Sequence, residues 1–142
     1  MKTVKYLEQI KLYDIKIEHK LLEREQLLTL AAKVNCSTEG ERVQSSGDPD
    51  KVANAVVKIV EIDKEIDKMI DEFVELKREI IEMIYLMSDT KLMQVLYMKY
   101  IQYMSFEGIA TKMKYSQDWI GRLHKRAIAE IESVRENPYQ SV

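Results

Sequence analysis

The chain has 142 residues, 46% hydrophobic and 32% charged, with a formal net charge of −2. This is enough apolar content for a packed core, so wholesale disorder is excluded, as is a uniformly basic chain, though not a local basic patch. With only 4 Gly and 2 Pro, a β-sandwich, with its frequent turns, and glycine-rich phosphate loops are both disfavoured, and long helices with few connections are expected. The single cysteine, Cys36, leaves no intrachain disulfide and no zinc-finger spacing, which points to a reducing, cytoplasmic setting. No apolar run approaches the roughly 18 residues of a membrane span. The charged opening MKTVKYLEQIK does not read as a signal peptide.

From Thr3 to Val34, Leu7, Ile10, Ile17, Leu21, Leu28 and Ala31 occupy positions of a seven-residue repeat, with Asp14 and Arg24 as polar interruptions. This spacing predicts a long amphipathic helix that stops at Asn35. Cys36 to Asp48 holds two of the 4 glycines and no apolar period, and reads as a loop over 36–48. Asp48-Pro49-Asp50 is a helix start: a capping side chain, a proline at the first helical position and an acid near the positive end of the dipole. From Pro49 to Met87, apolar residues recur from Val52 through Val56, Ile59, Ile62 and Ile66 to Ile80, Met83 and Met87 at a mean step of about 3.5, the period of a coiled-coil seam. Two such helices predict an antiparallel hairpin over 1–88. One hairpin buries only part of this surface, so a homodimer through the coiled coil is expected.

Ser88-Asp89-Thr90 breaks the pattern, and 89–142 reads as a three-helix domain: Asp89 to Gln102, Ser105 to Lys114 and Ser116 to Arg135, ended by Asn137-Pro138. The fold class is therefore all-α. The last two of these helices have the features of a helix-turn-helix. Ala110 is small enough for a helix crossing. Ile109, Met113, Tyr115, Ile120 and Leu123 are spaced to hold it, and Ser116 caps the second helix. That helix then presents Gln117, Asp118, Gly121, Arg122 and Lys125 away from the core, where they can enter a DNA major groove. Gly121 permits close backbone approach at a cost of about 1 kcal/mol in helix propensity. Gln117 can read adenine, and Asp118 can accept from a cytosine amino group or serve only the helix N-terminus. Lys112, Lys114 and Arg126 complete the candidate DNA-binding set with Ser116. His124 is expected at the edge of the packing. Trp119 is expected to be partly buried against the Leu96–Tyr100 helix. His19 and Cys36 stand alone in sequence. No catalytic or metal-ligating pattern emerges and no cofactor is implied, so a non-enzyme is expected.

Residues 89 to 133 resemble the fourth conserved region of bacterial sigma-70-type factors. The resemblance is carried by Leu96-Tyr-Met-Lys-Tyr100, Ser105-Phe-Glu-Gly-Ile-Ala110, Tyr115-Ser116 and Arg122-Leu-His-Lys-Arg-Ala127. It implies promoter DNA and RNA polymerase as partners. Lys114 stands where that region usually has a turn glycine, Trp119 replaces a small residue, and the spacing from Ser116 to Arg122 is one residue shorter. An acidic coiled coil precedes the domain in place of a promoter-melting region, so a complete sigma factor is not expected. Over its full length the chain resembles a phage and prophage family of Gram-positive bacteria, grouped with late-transcription and autolysin regulators. That likeness rests on Tyr6 to Ile10, on Glu41 to Ser46, on the charged coiled coil and on the C-terminal end.

Charge is unevenly divided. Residues 1–88 carry 14 Lys/Arg against 18 Asp/Glu, and residues 89–142 carry 8 against 6. A patch this mildly positive contacts few phosphates, so useful affinity calls for two copies on two half-sites. The leading expectation is a phage-type transcription regulator that binds double-stranded DNA and no membrane. It uses the coiled coil to dimerise or dock on RNA polymerase. A small-terminase-like packaging adaptor and a protein-only partner of polymerase or a sigma factor stand as alternatives.

Overall fold

A computed structural model describes residues 2–40 and 49–136, with side chains described over 2–33 and 50–136. Helix α1 spans Lys2–Gly40 and α2 spans Pro49–Tyr85. They form the expected long antiparallel hairpin, and three shorter helices packed together follow it. These are α3 (Thr90–Leu96), α4 (Phe106–Met113) and α5 (Gln117–Glu136), with α3 extended by a π-helical stretch over Tyr97–Ile101. The all-α class read from the glycine-poor composition is the class observed.

Several expected boundaries move. Helix α1 does not stop at Asn35 but continues to Gly40, so 36–40 is helical and not loop. Asn, Cys, Ser and Thr each cost only some tenths of a kcal/mol inside a helix, and no proline breaks the ladder before Gly40. The rest of the expected loop, 41–48, and the expected Asp48 cap lie outside the described residues. Helix α2 ends at Tyr85, short of Met87. Its last turn tightens, with Met87 N donating to Ile84 O at 3.1 Å. The expected helix from Asp89 to Gln102 is α-helical only to Leu96. It then widens, with Gln102 N donating to Tyr97 O at 3.1 Å, five residues back. Side-chain caps start all three shorter helices. Asp89 accepts from Lys91 N (2.9 Å), Ser105 Oγ from Gly108 N (3.0 Å) and Ser116 Oγ from Trp119 N (3.1 Å).

The chain divides into two compact units, Asp14–Glu72 and the remainder. Within Asp14–Glu72, Lys20 pairs with Glu65 at 2.8 Å and Arg24 pairs with Asp63. As the α1 numbers rise the α2 numbers fall, which is the antiparallel register. Ile62 and Ile66 are buried there. Leu21 and Leu28, expected on the seam, are 47% and 42% exposed, and Val56 is 51% exposed. Lys20, Arg24 and Leu27 take the inward-leaning positions of α1 instead. The long stems of Lys20 and Arg24 lie along the seam while their charged ends reach the acids of α2. Leu21 and Leu28 stand one residue, a 100° step, farther round.

The other unit holds the main core. Leu7 and Ile10 from α1, Ile80 and Ile84 from α2, and Val95 and Leu96 from α3 are fully buried together with the inner faces of α4 and α5. Each such side chain contributes about 1.5–3 kcal/mol by leaving water. A tyrosine ties one edge. Tyr6 packs under the Arg135 guanidinium, 4.0 Å from the ring centroid, and shares a hydrogen bond with Glu79. Burial, then the Glu79 carboxylate, push the Tyr6 hydroxyl up to about 12. Trp119 is more open than expected, at 37% exposure. No helix among the described residues is long and apolar enough to cross a membrane.

Candidate nucleic-acid interface

The α4–α5 pair is built around its turn. Lys114 ends α4 in the left-handed conformation, φ 62° and ψ 43°. Its N–H reaches Ala110 O, and Tyr115 N donates to the same carbonyl at 3.0 Å. The lysine thus does the conformational work usually left to glycine. Ser116 then caps α5. Its hydroxyl is engaged by Trp119 N, so Ser116 acts locally to start the helix. Ile109 and Ala110 of α4 meet Ile120, Leu123, Ala127 and Ile131 of α5 in the core. The crossing residues expected from spacing are thereby confirmed, with Met113 and Tyr115 packed against them.

Burying that face turns the opposite one outward. Gln117, Asp118, Gly121, Arg122 and Lys125, together with Phe106 of α4, line one open depression of about 550 Å³. The five α5 members are the five residues expected to face away from the core. A Cβ built on Gly121 meets nothing within 4 Å, so no packing demand within the protein calls for glycine there. Arg122 lies beside Asp118 at 3.4 Å, both side chains mostly in solvent. Such an exposed pair is worth at most about 1 kcal/mol and leaves Arg122 free to exchange partners. Lys112, Lys114 and Arg126 are exposed but do not line the depression.

Two residues outside the candidate set prove structurally important. Phe106 lines the depression and is contacted by two further side chains. The Lys99 ammonium lies 4.7 Å from its ring centroid, and the His124 ring meets it edge-on at 5.1 Å. His124 is half-buried at the edge of the packing, as expected, with Nε2 2.7 Å from the Tyr100 hydroxyl. Burial, then the Lys99 charge, hold its pKa below the ordinary histidine value. Burial, then the charge of Glu8, push Tyr100 up to about 12. His124 therefore joins α5 to the π-helical stretch and to α4 as a neutral ring. The sequence offered Phe106 only as a motif residue, and nothing local links positions 100 and 124.

Residues 34–132 match the family model described as "Protein of unknown function (DUF1492)". No curated protein and no solved structure matches the chain. The family match runs from the last turns of α1 through α2 and the whole depression into α5, well over half of the sequence, and the chain belongs to the DUF1492 family.

Proposed function

We propose that the protein is a phage-type DNA-binding transcription regulator, without enzymatic activity, that inserts α5 into the major groove as the second helix of a helix-turn-helix. The observation that carries this reading is the α5 face itself. Two side chains that pair well with base edges, Gln117 and Arg122, share an open surface with a glycine that no internal packing explains. Lys125 lies on the same surface, and Lys112, Lys114 and Arg126 flank it as phosphate contacts. The resemblance of 89–133 to the fourth region of sigma-70-type factors and the full-length likeness to phage regulators support the same reading.

The hairpin serves as the dimerisation element, placing two reading helices on two half-sites, with RNA polymerase as a further docking partner. Support comes from its uncovered apolar side chains: Leu22 and Leu30 on α1, and Val57 and Val60 on α2, beside Leu21, Leu28 and Val56. Gly121→Glu and Arg122→Ala are expected to abolish a specific footprint while helicity and oligomeric mass stay unchanged. A footprint that survives both substitutions removes α5 as the reading helix. A particle of eight or more copies by light scattering instead favours a packaging adaptor.

A further inference from the structure

We infer that the α5 depression recognises a 5-methylpyrimidine, through Phe106. This inference rests on the DNA-binding reading and specifies what that surface selects. Of the six residues lining the depression, Phe106 alone contributes an apolar side chain. The other side chains are charged or amide groups of α5, and Gly121 places none there. One aromatic side chain thus shares the surface with hydrogen-bonding groups. Its ring is contacted by the Lys99 ammonium and by the His124 ring. A surface of this kind fits a small apolar group displayed on an otherwise polar partner. In the major groove the base that displays one is thymine, through its C5-methyl, and 5-methylcytosine carries the same group. Guanine, adenine and unmodified cytosine offer only donors and acceptors there.

The test begins with selection of a bound duplex from a random pool by the full chain. Each thymine of the selected duplex is then replaced in turn by deoxyuridine, by cytosine and by 5-methylcytosine. At one position or more, deoxyuridine is expected to weaken binding about fourfold, the effect of burying one methyl group. At the same position 5-methylcytosine is expected to bind about fourfold better than cytosine. Phe106→Leu keeps an apolar side chain and retains the discrimination, whereas Phe106→Gln abolishes it. Equal binding of thymine and deoxyuridine at every position of a bound duplex overturns the inference and leaves DNA binding intact. So does a methyl preference that persists in Phe106→Gln. Failure to select any duplex overturns the DNA-binding reading and this inference together.

Discussion

Lys114 and His124 show how single residues are constrained by what surrounds them. A lysine at φ 62° pays a steric cost that glycine avoids, of order 1 kcal/mol. Lys114→Gly is therefore expected to raise unfolding free energy by about 1 kcal/mol in urea titrations. An unchanged or lower value argues that the lysine side chain has a stabilising contact of its own. His124 makes the opposite kind of demand, because its folded pKa lies below the ordinary value. Below about pH 6.5 the unfolded chain then binds a proton more readily than the folded one. Stability is full above that pH and falls as pH drops through the window, by at most about 1.4 kcal/mol per unit. His124→Gln is expected to flatten the profile between about pH 7.5 and 5.5. An unaltered slope assigns the pH dependence to other groups. The Ser116 cap was legible in sequence because a cap bonds to backbone three residues on. The Tyr100–His124 contact was not, because it joins residues 24 apart.

At the scale of elements, hydrophobic period fixes existence and type better than it fixes ends. The α2 seam reads correctly from Ile59 to Met83, since Ile62, Ile66 and Ile80 are buried at the expected spacing. It fails at Val56, and in α1 at Leu21 and Leu28, where Lys20, Arg24 and Leu27 take the inward positions. Asn35 illustrates the limit of a stop signal, since a residue that tolerates a helix end does not enforce one. The π-helical stretch had no local signal at all. The exposed apolar residues of the hairpin carry a prediction of their own. Leu22→Lys with Val57→Lys is expected to shift sedimentation from dimer to monomer with little loss of helical signal, because both side chains already lie exposed. Retention of the dimer mass places its interface elsewhere, and a collapse of helicity shows that these positions stabilise the hairpin fold.

For the whole molecule, the mild overall charge conceals an uneven distribution. The net −2 combines acidic residues 1–88 with residues 89–142, whose Lys/Arg exceed their Asp/Glu by two. Under the proposed DNA binding, so modest a surplus gives one copy few phosphate contacts and calls for paired copies. The composition, the capping residues and the crossing residues made the C-terminal helices readable in advance. They also placed five of the six residues around the depression, and missed Phe106 because it arrives from α4. The most direct measurement is a footprint of the full chain on its selected duplex, repeated with Arg122→Ala and Gly121→Glu. Protection by the native chain and its loss in both variants are expected, with circular dichroism and oligomeric mass unchanged. Protection that persists in both variants contradicts α5 as the reading helix.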